Sequence, residues 1–389
     1  MNHLMNTYSP QAFEPVRGVG ARLWGQEGGA CLDLIAGVGV NGLGHGHPKL
    51  VPTLQEQLAN LMHCSNLYRI AEQHSLAARL TELSGAAKVF FCNSGCEANE
   101  AAIKLARLHG HQRGVASPKI IVMDGAFHGR TLATVAATAS AKVRAGFAPL
   151  PEGFIRVPYN DTSALEVLDD AECVALLVEP VQGEGGVNLP DISYLTELRE
   201  ICNRKGWLLM LDEVQTGIGR TGRWFAHQHS QIQPDVMTLA KGLGSGIPIG
   251  ACLAWGDAAT TFTPGSHGST FGGNPLACRA GTETIRIIEE DGLLDHAREL
   301  GDFIVEQLRE KLGDLPQVQQ VRGLGLMIGI MLDRPCQNLV AEALREGLLI
   351  NVTAERVIRL LPPLVLTREE ARWGVDTLAR LVRTLVQKG

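Results

Sequence analysis

No apolar run in this 389-residue chain approaches the ~20 residues that a bilayer span requires, so a membrane partner is not expected. The opening stretch, MNHLMNTYSP, has neither the basic segment nor the apolar core of a secretory signal, which points to a cytoplasmic setting. Positive charge is not in excess: Lys plus Arg number 35 against 41 for Asp plus Glu, a formal net charge of −6. Nucleic acid is therefore not the expected partner, because phosphate neutralisation needs a surplus of lysine and arginine. There is no Cys-x-x-C pair. The cysteines number nine and lie scattered (Cys31, Cys64, Cys92, Cys96, Cys173, Cys202, Cys252, Cys278 and Cys336), which suits neither a zinc ribbon nor a disulfide framework. Most fall inside apolar runs and read as small buried hydrophobes in a reducing compartment. His-x-His pairs at His45/His47, His109/His111 and His227/His229 lack further ligands at metal spacing, so no metal site is expected. Walker A and Gly-x-Ser-x-Gly sequences are absent, as are repeats and low-complexity tracts.

What is present is an ordinary globular composition, 45% apolar and 20% charged, in a chain long enough for roughly two to three domains and a large core. Glycine is abundant at 44 residues, and many cluster in short polar loops where backbone can approach a ligand closely. One cluster, Gly37-Val-Gly-Val-Asn-Gly42, fits G-x-G-x-x-G but does not lead at once into a helix, so it is set aside as a dinucleotide fingerprint. Strand-like pieces occur around Arg17–Trp24 and Cys31–Leu34, and Pro48 to about Met62 reads as a helix. From Lys88 onward, unalternated apolar runs at 88–92, 119–123, 154–157, 174–178, 207–211, 236–239 and 250–254 are separated by helical patterns or loops. Such runs mark a sheet buried on both faces, and hence an α/β fold with a mostly parallel sheet. After about Pro275 a long helical stretch, 276–312, leads into strands near 318–323 and 327–331, a helix near 338–346 and a closing helix from Arg368. The expected division is a 1–45 segment packed with a small α+β domain at 276–389, and a large domain at 46–275.

In open α/β sheets ligands sit at the carboxyl ends of strands, so the residues just beyond each apolar run matter most. After the first run, Asn93-Ser94-Gly95-Cys96-Glu97 opens a helix, where free amides favour a phosphate, although Ser94 equally reads as an N-cap. Asp212 ends a buried run. It either caps a loop or partners a buried cation such as a protonated ring nitrogen. Lys241 stands between an apolar run and Gly242-Leu-Gly-Ser-Gly246, as a desolvated nucleophile or a snorkelling surface lysine. Phe127 and Arg130 could stack on a flat ligand and bind a carboxylate, or be a core ring and a surface charge. Glu179 and Glu184 in a Gly-flanked loop are either solvated or face a cation, and the hydroxyls of Ser269 and Thr270 could reach a phosphate or cap a helix. Taken together these are the parts of a pyridoxal 5'-phosphate site.

Six segments, Asn93-Ser-Gly-Cys-Glu-Ala-Asn-Glu100, Phe127-His-Gly-Arg130, Glu179-Pro-Val-Gln-Gly-Glu-Gly-Gly186, Leu211-Asp-Glu-Val-Gln-Thr-Gly217, Leu239-Ala-Lys-Gly242 and His267-Gly-Ser-Thr-Phe-Gly-Gly-Asn-Pro275, resemble in content and order the class III pyridoxal-phosphate-dependent aminotransferases. Within that class the likeness is strongest to the acetylornithine-using branch of arginine biosynthesis. The resemblance implies a fold-type-I α/β transferase and a homodimer with shared active sites. It also implies N2-acetylornithine and 2-oxoglutarate (or glutamate) as substrates, with succinylornithine, succinyldiaminopimelate, ornithine or 4-aminobutyrate as alternative donors. By the same resemblance Lys241 would join covalently to the cofactor and shuttle the proton, Asp212 would pair with the ring nitrogen, and Gln215 would contact the phenolic oxygen. Phe127 would stack on the ring. Ser94, Gly95 and Cys96 would bind the phosphate together with Thr270 from the second subunit. Arg130 and Ser269 would hold the acylated donor, Arg359 would bind an α-carboxylate, and Glu184 would cover Arg359 when no such carboxylate is present. Cys96 departs from the Ala or Thr usual there, but the expected contact comes from backbone.

Overall fold

The computed structural model describes residues 3–26 and 28–387. Three short strands, β1 (Pro15–Val19), β2 (Arg22–Gly25) and β3 (Ala30–Asp33), form an antiparallel meander, and helices α1 (Leu50–Asn60) and α2 (Ala71–Ser84) follow. Strands and helices then alternate: β4 (Lys88–Cys92), α3 (Gly95–Gln112), β5 (Lys119–Met123), β6 (Phe154–Val157), β7 (Cys173–Val178), α4 (Tyr194–Lys205), β8 (Leu208–Asp212), β9 (Val236–Leu239) and β10 (Gly250–Ala254). The remainder is α5 (Pro275–Glu290), α6 (Leu293–Leu312), β11 (Val318–Leu324), β12 (Met327–Leu332), α7 (Asn338–Arg345), β13 (Leu348–Leu349), β14 (Asn351–Thr353), β15 (Val357–Leu360) and α8 (Arg368–Gln387).

The expected mostly parallel sheet is present, with seven strands in the order β4-β10-β9-β8-β7-β5-β6. Only β10 runs antiparallel to its neighbours. Every residue of β7 (CVALLV) and β8 (LLMLD) is buried, which accounts for their lack of alternation: helices and loops cover both faces. Separate apolar clusters on the two faces contain Ile120, Val122, Val174 and Met210 on one side and Ile121, Met123, Leu176 and Leu209 on the other. A second sheet joins the first strands to a late one, in the order β1-β2-β3-β13, with β13 parallel to β3. A third, β11-β12-β15-β14, is antiparallel throughout.

The helical stretch expected across 276–312 is broken. Gly292 adopts φ +63°, a left-handed conformation that glycine takes at little cost, and the chain turns there from α5 into α6. The pattern from Leu276 to Leu312 therefore belongs to two helices. No helix among the described residues is long and apolar enough to cross a membrane.

Candidate active site

A cavity of about 420 Å³ opens at the carboxyl ends of the parallel strands. Ser94, Gly95 and Cys96 line it from the start of α3, Phe127 and Arg130 from the loop after β5, and Glu184 from the loop after β7. Asp212 lines it from the last position of β8, and Gln215 and Lys241 from beyond β8 and β9. Arg359 reaches these residues from β15: its Nη1 lies 2.5 Å from Glu184 Oε1 and 3.4 Å from Gln215 Oε1. Ser269 and Thr270 stand apart from the cavity in this chain. They line a neighbouring hollow of about 450 Å³ that shares Asn93 with it.

Asp212 and Glu213 are consecutive at the end of a strand, so their side chains leave on opposite faces. Glu213 is consumed by structure: its carboxylate accepts from the amides of Ala226 and His227 and from the Thr216 hydroxyl. Asp212 faces the cavity, with Oδ2 2.7 Å from both His128 Nδ1 and Asn99 Nδ2, while Oδ1 accepts from the Val214 amide at 3.1 Å. Since a carboxylate only accepts, His128 must carry its proton on Nδ1, and its buried Nε2 has no partner. Asn99 is itself oriented by the Thr238 hydroxyl at 2.7 Å. His128 and Asn99 belong to the motifs that drew attention to this region, yet their role is visible only in three dimensions. The cue in the sequence was their position one residue past Phe127 and one turn into α3.

Lys241 sits in a one-turn 3-10 helix immediately after β9 with φ +42°, a strained conformation for a residue with a Cβ. Its side chain lines the cavity, and its amine has no hydrogen-bond partner among the described residues. Desolvation by the surrounding protein holds it below the usual lysine range, with Glu184 opposing and Arg359 reinforcing that shift. At the head of α3 the Ser94 hydroxyl accepts from the Glu97 amide at 3.1 Å and the Ser94 carbonyl from Ala98 at 3.0 Å. Ser94 is thus the N-cap. The amides of Gly95 and Cys96 are left without an acceptor among the described residues, as the first turn of a helix requires. The Cys96 thiol turns to the Thr131 and Thr134 hydroxyls, both at 3.2 Å.

Strand-end placement, a desolvated amine and a hydrogen-bonded buried carboxylate match the chemistry of one enzyme group, and the profile of Aminotransferase class-III matches residues 5–382. The chain belongs to the class-III aminotransferases. This aminotransferase is similar to the acetylornithine aminotransferase of Nitrosomonas europaea, 55% identical over 384 residues that cover 98% of each chain. It is also similar to that of Aquifex aeolicus, 48% identical over 98% of this chain and 100% of the relative. Among solved structures, the ornithine aminotransferase of Toxoplasma gondii ME49 superposes with a TM-score of 0.96 at 33% identity, over 100% of this chain and 94% of that one. Another structure of the Toxoplasma enzyme, 34% identical, has PLP at its active site at partial occupancy.

The class works with pyridoxal 5'-phosphate, and the residues present fit it. A partnerless amine can join an aldehyde, a buried carboxylate can face a ring cation, and free helix-start amides can take a phosphate. The unpartnered Nε2 of His128 is a further buried polar atom on the same wall.

Proposed function

We propose that this aminotransferase moves the δ-amino group of N2-acetyl-L-ornithine to 2-oxoglutarate, giving N-acetyl-L-glutamate 5-semialdehyde and L-glutamate, a step of arginine biosynthesis in the cytoplasm. Near-identical length and 43–55% identity to relatives named acetylornithine aminotransferase support the donor. The observation that carries the reading is the Arg359–Glu184 pair beside Lys241. One pocket has to accept first an ω-amino donor and then a dicarboxylate. A buried arginine under an acidic side chain that can withdraw meets both needs: Arg359 is 2% exposed and Glu184 37%.

Pyridoxal phosphate, when bound, supplies the electron sink that makes the donor's δ-hydrogen acidic. Lys241 Nζ, whose charged form desolvation disfavours, takes that proton and later delivers one to the carbon that becomes Cα of glutamate. Asp212, fixed by His128 and Asn99, would present negative charge to the ring nitrogen of the bound cofactor. Phe127 would stack on the ring, Gln215 would meet its phenolic oxygen, and the amides of Gly95 and Cys96, at the turn capped by Ser94, would hold the phosphate. Arg130 binds the acylated end of the donor together with Ser269 of the partner subunit, since this chain keeps its own Ser269 outside its cavity. Glu184 covers Arg359 during the donor's turn and yields it to the α-carboxylate of the acceptor. The same reading divides the chain into a large 46–275 body and a small one built from 1–45 and 276–389. It pairs two copies so that Thr270 of the partner subunit completes each phosphate site.

The test is glutamate production by the purified holoenzyme with a panel of donors. N-Acetylornithine should exceed ornithine, succinylornithine, succinyldiaminopimelate and 4-aminobutyrate in kcat/KM by about tenfold or more, the scale one added polar contact gives. A better rate with one of those donors would replace acetylornithine with it. The Lys241→Ala variant should take up no borohydride-fixed cofactor by intact mass, and a fixed adduct on another lysine would remove Lys241 from its role.

A further inference from the structure

We infer that Asn351 is a positioning residue that orients the carboxylate-binding guanidinium of Arg359 while leaving its charge intact. The inference rests on the reading of Arg359 given above and says how that arginine is kept usable. Asn351 opens β14 and lies directly opposite Arg359 in the antiparallel β14–β15 register. Directly opposed residues share a face and touch. The register is held by the tight three-residue connection 354–356, where Ala354 (φ +46°) and Glu355 (φ +63°) both adopt left-handed backbone. A slip of one residue would turn Asn351 to the opposite face.

Across this pair Asn351 Oδ1 accepts from Arg359 Nε at 3.1 Å and from Nη2 at 2.8 Å. Its amide orientation is not ambiguous, because a guanidinium has only donors and must meet the oxygen. Two of the five N–H groups are thereby tied to one neutral acceptor. Nη1 is left to the groups that change over a catalytic cycle, Glu184 above all. The backbone carbonyl of Glu184 is pinned by the Thr353 hydroxyl from the same short strand, so its carboxylate can swing while its main chain stays.

The neutrality of Asn351 is the point. A buried cation needs hydrogen bonds wherever it sits, and a carboxylate at position 351 would supply them. It would also neutralise Arg359 permanently, in the half-reaction that needs a cation as much as in the one that does not. Asparagine offers the same geometry without that charge. The single mobile counter-charge is then Glu184, and the switch between substrates depends on it alone.

The deciding variants are Asn351→Asp and Asn351→Ala in the holoenzyme, with KM for 2-oxoglutarate and for the donor measured separately. Asn351→Asp, nearly isosteric, should raise KM for 2-oxoglutarate by about tenfold or more, the scale of losing a charge-assisted contact, while donor KM moves less than about threefold. Asn351→Ala should raise the same KM by a smaller factor through lost orientation. In Glu184→Gln, glutarate should inhibit the donor half-reaction strongly, and adding Asn351→Asp should relieve that inhibition by supplying a fixed counter-charge. A purely structural role predicts the reverse order, with alanine worse than aspartate and both substrates affected alike. That order, or an unchanged 2-oxoglutarate KM in either variant, overturns the inference. Arg359→Met is the control: if it leaves KM for 2-oxoglutarate unchanged, the role of Arg359 falls. If Arg359→Met raises that KM and Asn351→Asp does not, only Asn351 loses its role.

Discussion

Glu179 shows how one side chain can be held in place by backbone donors and still be costly to charge. One of its carboxylate oxygens accepts from the Phe127 amide at 2.9 Å and the other from the Gly183 amide at 3.2 Å, tying the loop after β5 to the loop that carries Glu184. Burial pushes its pKa up to about 7, with His128 pulling it down and Asp212 adding to the rise. Between the ordinary glutamate range and about 7 the native state therefore holds a proton that the unfolded chain has lost, so this group subtracts stability as pH rises through that window. Glu179→Gln cannot titrate. It leaves one amide poorly served at every pH, at about 1–3 kcal/mol. Relative to the parent apoprotein, however, it should gain on the order of 1–3 kcal/mol between pH 5 and pH 8. Urea midpoints across that range decide the matter, and a pH-independent difference would reject the assignment of the shift. At this scale the sequence was informative about residue type more than about partners. Asp212 and Lys241 stand out in the sequence because a charged residue at the tip of an apolar run is chemically exposed. Asn99, His128 and Glu179 stood in the same motifs, but what they touch comes from four separate segments, and no local pattern encodes that.

Helices and strands were legible in proportion to their length. Runs such as 88–92, 119–123 and 236–239 coincide with strands because three or four apolar residues within four or five positions leave an unmistakable block. β13, β14 and β15 span only two to four residues each and carry no readable period. The break between α5 and α6 falls at Gly292, where the phase also changes: the buried row Gly281, Ile285 and Ile288 of α5 does not continue at helical spacing into Leu293, Ala297 and Leu300 of α6, so a reading by apolar content alone runs the two together. A glycine inside α6 shows propensity and packing in direct conflict. Gly301 lies mid-helix, where replacement by alanine normally gains up to ~1 kcal/mol. Here an added Cβ would stand 2.1 Å from the carbonyl oxygen of Gly325, in the turn between β11 and β12. That obstacle is backbone, and the turn is closed in from behind by Thr221 and Gly222, so neither side can yield. Gly301→Ala should accordingly destabilise by about 2 kcal/mol or more, in the range of other overpacked cores. A thermal melt lower by several degrees is the expected reading, and an equal or higher Tm would mean that the helix moves away freely.

For the molecule as a whole, the buried Arg220 joins the two parts that meet at the site. Its guanidinium donates to the carbonyl of Leu326 at 3.1 Å and to that of Pro362 at 2.5 Å, fixing the segment just past Arg359 against the loop that follows Asp212. The single chain still leaves Ser269 and Thr270 outside the cavity, beside an uncovered apolar surface. Leu67 is 87% exposed, Tyr68 73% and Phe271 61%. The loops that carry them are locked together, with Asn66 donating to the carbonyls of Ser269 and Gly272 at 3.0 Å and His63 packed 5.2 Å from Phe271. A contiguous exposed patch of this kind marks a protein interface. If two copies close over it, the 269–270 segment of each is carried to the other's site, which makes pairing and cofactor retention one property. The parent should then sediment at twice 41.8 kDa. Leu67→Glu combined with Tyr68→Glu, which buries two carboxylates in that interface, should shift the protein toward the single-chain mass with unchanged far-UV circular dichroism. It should also weaken retention of pyridoxal phosphate on dialysis by about tenfold or more, because a phosphate contact is lost along with the interface. A parent that sediments as one chain would defeat the pairing. A variant that dissociates yet keeps its cofactor as tightly as the parent would defeat the sharing of Thr270 while leaving Lys241 and Asp212 where they are.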